Sequence, residues 1–81
     1  MDTTWSLLMN IGIVGAGEFA EFAALAFLKI DGIQIVGVTD INEASGRRMA
    51  LEVKGKFHKN ISDLLADDSI DLVYIATPPY L

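Results

Sequence analysis

The glycine-punctuated stretch Ile11-Gly12-Ile13-Val14-Gly15-Ala16-Gly17-Glu18-Phe19-Ala20 constrains this chain more than any other. It reads as a short buried strand, a sharp turn and the first turn of a helix. Gly15 permits the tight exit from the strand, and Gly17, lacking a Cβ, lets a phosphate approach the backbone closely. Ala20 is small enough for the new helix to lie against the strand it has just left. The helix start then offers unpaired N–H groups and a partial positive charge of about half a unit. Such a turn can hold a dinucleotide's pyrophosphate, but a strand-to-helix turn with no ligand uses the same residue types. The surrounding chain has to decide.

Downstream, Phe19, Phe22, Ala23, Ala26, Phe27 and Ile30 repeat at helical spacing and predict a helix over 17–30, with this stripe as its core face. Gly32 suits a left-handed helix end. Ile33–Asp40 is an apolar strand that stops at Asp40, twenty residues after Ala20. A dinucleotide fold places there the acid that accepts hydrogen bonds from the adenosine ribose; the plain alternative is a solvated turn aspartate. Asn42–Lys54 is a second helix, with Asn42 as N-cap and Gly55 as the left-handed residue after its end. Gly46 inside it costs about 1 kcal/mol relative to alanine. Arg47 and Arg48 fall on a solvated face; the alternative is that one reaches the 2′-phosphate of NADP. Asp40 would repel that phosphate, which ranks NAD ahead of NADP.

Lys56–Lys59 predicts a short edge strand, with His58 a surface residue. Asn60-Ile61-Ser62-Asp63 opens a short helix with Leu64 and Leu65 facing inward, and Asp67-Asp68-Ser69 is a polar turn. Asp71–Ala76 is a fourth strand, followed by Thr77-Pro78-Pro79, which turns the chain outward because proline cannot continue a ladder. Strands alternating with helices give an α/β, Rossmann-like parallel sheet with helices on both faces. The expected strand order is 3-2-1-4, an incomplete doubly wound fold. All 81 residues form one dinucleotide-binding domain, with residues 1–9 an N-terminal extension whose Trp5 packs on the domain or simply precedes strand one.

Composition narrows the function. A net charge of −5 leaves no basic surface for nucleic acid. The chain has no cysteine and one histidine, which excludes thiolate and multi-histidine metal sites. The absence of cysteine fits a reducing, cytoplasmic setting, and no apolar run reaches the ~18–20 residues that span a bilayer. Hydrophobic residues make up 52%, a large share for so small a unit, so either the core is unusually parallel-β-like, or some apolar surface meets a partner, or both.

Ile11-Gly12-Ile13-Val14-Gly15-Ala16-Gly17, Val38-Thr39-Asp40, Leu64-Leu65-Ala66-Asp67 and Ile75-Ala76-Thr77-Pro78-Pro79 together resemble the N-terminal domain of the Gfo/Idh/MocA oxidoreductases, over residues 10 to 81. The A-T-P-P ending after a D-x-V-x-I strand is the more specific part. The resemblance implies an NAD(P)-dependent dehydrogenase of sugars, cyclitols or related hydroxy compounds. It implies that Gly15, Ala16, Gly17, Glu18 and Phe19 line the pyrophosphate, and that Asp40 holds the ribose with Ile41 beside the adenine. Ala76, Thr77 and Pro78 would lie along the diphosphate or nicotinamide-ribose side. Pro79 replaces an asparagine common in the family and receives no polar role. The family's catalytic lysine, in a Glu-Lys-Pro segment, and its substrate domain fall after Leu81, so the 81 residues alone are expected to bind NAD weakly and catalyse nothing.

Two further readings use the same residues: a non-enzymatic module that senses adenine nucleotides, and a structural α/β unit with an empty glycine loop. The outer edge of strand four would be unpaired, and such edges recruit another chain. A homo-oligomer through that edge is therefore expected.

Overall fold

All four strands run parallel, and their order across the sheet is β3-β2-β1-β4, as the alternation predicts. The computed structural model describes residues 9–15 and 17–76. In chain order the elements are β1 (Met9–Val14), α1 (Glu18–Leu28), β2 (Ile33–Thr39), α2 (Glu43–Val53), β3 (Lys56–Phe57), α3 (Ile61–Leu65) and β4 (Leu72–Ile75). Trp5 and the Thr77-Pro78-Pro79 exit lie outside the described residues.

Each sheet face is closed in a different way. On one, Ile11 and Ile13 of β1 and Ile35 and Val38 of β2 meet Ala20 and Ala24 of α1 and Met49 and Ala50 of α2. A register shift between Ile11 and Gly12 lets β2 carry one extra residue without turning Val38 off this face. The opposite face is flattened by glycine. A Cβ on Gly12 would stand 2.9 Å from both Leu64 and Ile70, and one on Gly37 would stand 3.1 Å from Ile70. Leu64, fully buried, is the anchor of α3 on that side.

The buried line of α1 corrects the periodicity reading. Ala20 and Ala24 face the sheet, while Phe19, Phe22, Ala26 and Ile30 are exposed. Only Phe27 and Ala23 of the predicted stripe are half-buried. The helix lies so close to β1 and β2 that only small side chains fit beneath it, so the bulkier stripe is turned to one flank. Phe27 reaches Tyr74 of β4 edge-to-face, with ring centroids 5.4 Å apart.

Other boundaries differ for local reasons. Asn42 caps α2 by accepting from the Ser45 amide at 3.1 Å, as expected. The left-handed residue at its other end is Lys54, φ 61°, rather than Gly55. Glycine is required at 55 for another reason: a Cβ there would stand 2.9 Å from the Ile35 carbonyl oxygen. β3 is only two residues long, and Leu65 is exposed while Leu64 alone points inward. His58 is buried rather than on the surface, because α3 and Ile70 close over it against Gly37.

Candidate dinucleotide site

The first turn of the site is built by Gly15 and Gly17. Gly15 adopts φ +108°, outside the range open to other residues, and its amide donates to the Thr39 carbonyl at 2.7 Å. A Cβ at Gly15 would stand 2.9 Å from the carbonyl oxygen of Ala76, so the end of β4 presses on the turn. Gly17 is the N-cap of α1 and supplies no side-chain cap. Among the described residues a Cβ there would meet nothing within 4 Å, so none of them covers the helix start. The leading N–H groups of α1 thus point outward from the carboxyl edge of the sheet, which is where ligands of open α/β folds sit. Glu18 and Phe19 flank this opening and are both exposed. Ala16, Thr77 and Pro78 lie outside the described residues.

The second wall follows β2. Asp40 comes directly after Thr39, and its Oδ1 accepts from the Asn42 amide at 2.8 Å, an Asx turn that fixes the carboxylate at the strand's end. Ile41, next along, is fully exposed, an unusual setting for a large apolar residue. A cleft of about 300 Å³ opens here, lined by Val14, Thr39, Asp40, Ile41, Lys59, Asn60, Ile61 and Ser62. Lys59 and Asn60 of the β3–α3 loop and Ile61 and Ser62 at the start of α3 are site-lining residues that no sequence motif marks. Their signal was positional: the β3–α3 loop leaves the same sheet edge as the β2–α2 loop, and Asn60 starts α3 by accepting from the Asp63 amide at 2.8 Å.

Arg47 stays on the solvated face. Its Nε donates to Glu43 at 2.7 Å, and its guanidinium carbon lies 4.7 Å from the Phe57 ring centroid. That hydrogen bond and the charge behind it hold the Glu43 carboxyl below its usual range. Arg48 is also exposed. Ala76 ends β4 with its amide on the Val14 carbonyl at 2.9 Å, beside Gly15. The structure therefore brings Gly15, Gly17, Asp40, Ile41 and Ala76 to one sheet edge. Among the described residues there is no group of three or more metal-ligating side chains, and no helix is long and apolar enough to cross a membrane.

A parallel sheet of order 3-2-1-4 with an open glycine turn after its first strand defines an NAD(P)-binding Rossmann unit. The family model of the Gfo/Idh/MocA oxidoreductases, described as an oxidoreductase family with an NAD-binding Rossmann fold, matches residues 9–81. The chain belongs to that family. Glucose-6-phosphate 3-dehydrogenase of Bacillus subtilis is 32% identical over 73 residues, covering 90% of this chain and 20% of that protein. Inositol 2-dehydrogenase 1 of Saccharopolyspora erythraea is 29% identical over 77 residues, covering 91% of this chain and 23% of that protein. The chain thus spans about a fifth of the length of the curated relatives it matches. Among solved structures, GenD2 from gentamicin A biosynthesis, in complex with NAD, superposes with a TM-score of 0.83 at 24% identity over 88% of this chain and 20% of its own. Neighbours of the same fold carry NAD in some crystals and NADP in others.

Proposed function

We propose that these residues are the cofactor-binding part of an NAD(P)-dependent oxidoreductase acting on a sugar, cyclitol or related hydroxy compound. The observation that carries the reading is the shared edge. The helix start at Gly17 and the Asp40 carboxylate, which lines a cleft of its own, lie along one sheet edge, as a pyrophosphate and an adenosine ribose require. In this reading Gly15, Ala16, Gly17, Glu18 and Phe19 surround the pyrophosphate. Asp40 takes the ribose hydroxyls, Ile41 covers the adenine, and Ala76, Thr77 and Pro78 border the nicotinamide side. Lys59 to Ser62 form the far wall of the adenosine cleft. NAD ranks ahead of NADP because Asp40 would repel a 2′-phosphate. When bound, the nicotinamide supplies hydride transfer; these residues bind and orient it. The substrate class rests on the relatives' names, a glucose-6-phosphate 3-dehydrogenase and an inositol 2-dehydrogenase. The proton-transfer group is assigned to a part of the enzyme outside these 81 residues.

For the 81-residue chain taken alone, the reading includes self-association. Leu72 and Ile75 are exposed on β4, whose outer edge has no partner strand among the described residues. Light scattering at high concentration checks this, and a strict monomer would contradict it. Isothermal titration with NAD, NADP and AMP tests the cofactor assignment. Weak but measurable binding of NAD and AMP is expected; no adenine-nucleotide binding, in this chain or a longer one, sinks it.

A further inference from the structure

The exposed flank of α1 carries an inference that does not depend on the cofactor. One flank of the helix, Glu21, Leu25 and Leu28, faces Met49 and Val53 of α2 across a groove of about 240 Å³. At about 100° per residue, Phe19, Ala23 and Ala26 occupy the opposite flank, with Phe22 at its outer rim and Ile30 in the turn that follows the helix. Phe22 is 75% exposed and Ile30 52%. Beneath them Phe27 touches Tyr74, so this flank runs on to β4, where Leu72, two residues before Tyr74, shares the same sheet face. Helix flank and strand together make one continuous apolar surface, of the kind that marks an interaction site.

We propose that the N-terminal segment, residues 1–8, docks on this surface, with Trp5 and Leu7 set against Ala26, Ile30 and Leu72. The described chain begins beside it: the Met9 amide donates to the Gly32 carbonyl at 2.6 Å, just past the C-terminal end of α1. Eight residues reach about 27 Å when extended, against about 16 Å for the 11 residues of α1. The spacing also fits. Side chains two apart in an extended segment are about 6.7 Å apart, comparable to the one-turn rise of about 5.4 Å between Ala26 in the last turn of α1 and Ile30 in the turn that follows it. Met1, Trp5, Leu7 and Leu8 are apolar, and Asp2 is the segment's only charged side chain. The family match begins at residue 9, so the segment is an addition to the shared fold.

Trp5 is the only tryptophan, and the chain has no cysteine, so two measurements read the docking directly in the 81-residue protein. Tryptophan emission should be blue-shifted and poorly quenched by acrylamide, at a value independent of protein concentration. Ala26→Glu and Ile30→Glu should shift it to the red and restore quenching, while Leu65→Glu, on the other face of the sheet, should not. Oxidising a Leu7→Cys, Ala26→Cys double variant should give an intrachain disulfide, a readout that needs no disruptive charge. Solvent-exposed Trp5 in the folded chain, or emission indifferent to both α1 variants, would overturn the proposal. So would concentration-dependent emission with interchain disulfides, which would show a second copy on this surface.

Discussion

The carbonyl oxygen of Ala76 lies 2.9 Å from the point a β-carbon on Gly15 would occupy. The end of β4 therefore polices the turn that follows β1. Two separate penalties fall on any side chain at position 15: the +108° φ and this contact with backbone that cannot swing aside. Gly15→Ala should cost about 2–3 kcal/mol of stability. Gly17→Ala meets no described residue and should change stability by less than about 1 kcal/mol, yet weaken NAD binding by blocking close phosphate approach. Thermal unfolding paired with isothermal titration separates the two. Equal losses of stability would show that Gly17 serves the fold rather than the ligand.

Gly46 sits inside α2, where alanine would ordinarily add about 1 kcal/mol. A Cβ there would stand 2.6 Å from the ring of Phe57, itself held under Arg47. Overpacking of this kind costs about 1–3 kcal/mol, so Gly46→Ala should be neutral to destabilising. In a Phe57→Ala background, with the ring gone, the same change should stabilise by nearly the full helix-propensity gain. Denaturant midpoints for the four corners of this cycle provide the check.

Asp67 predicts the shape of the acid limb. Its Oδ1 accepts from the Ser69 hydroxyl at 2.7 Å and the Ser69 amide at 2.9 Å. These bonds, with the nearby His58 adding a smaller effect, hold the carboxyl below its ordinary 3.8. A folded value below the unfolded one adds stability at pH above 3.8, which fades as pH falls through the folded value. Ser69→Ala should move the Asp67 carboxyl back toward 3.8 and shift the onset of acid unfolding to higher pH. An NMR titration of Asp67 that did not move would refute this account.

His58 offers a second stability test. Its Nε2 is buried without a hydrogen-bond partner among the described residues, and Asp67 Oδ2 is 3.6 Å away, too far for a bond. His58→Leu removes the unsatisfied atom while filling the space against Gly37 and Ile70. It should be neutral or stabilising by about 1 kcal/mol. A loss of more than about 2 kcal/mol in thermal unfolding would mean that the imidazole makes an essential contact in solution.

Features that depend on a residue and its immediate neighbours were legible in the sequence. Gly15, Gly32 and Asn42 each announce one backbone conformation, and the structure shows all three. The parallel sheet followed from alternation, and its strand order from reading the glycine turn as that of a dinucleotide fold. What escaped is set by contacts distant in sequence. The most apolar stripe of α1 was read as its core, but Ala20 and Ala24 are buried because the sheet lies too close for phenylalanine. Periodicity finds an apolar face; it does not measure the gap that face must fill. His58 and the Lys59–Ser62 wall were missed likewise, since their setting depends on where α3 comes down on Gly12 and Gly37.

Asp40 is where cofactor choice is tested. Its Oδ1 already accepts from the Asn42 amide, a bond that serine can also make, so Asp40→Ser should leave the turn and the fold in place. What serine lacks is the charge, and with it a charge-assisted bond to a ribose hydroxyl worth about 2 kcal/mol. NAD affinity should fall roughly 30-fold. NADP, whose 2′-phosphate the carboxylate repels, should bind no worse than before and gain from the removal of that repulsion. Parallel titrations of the two cofactors against the variant and the parent chain give the answer. If both affinities fall together, Asp40 supports the cleft without touching the ribose, and any discrimination between NAD and NADP must be sought in Lys59, Arg47 or Arg48.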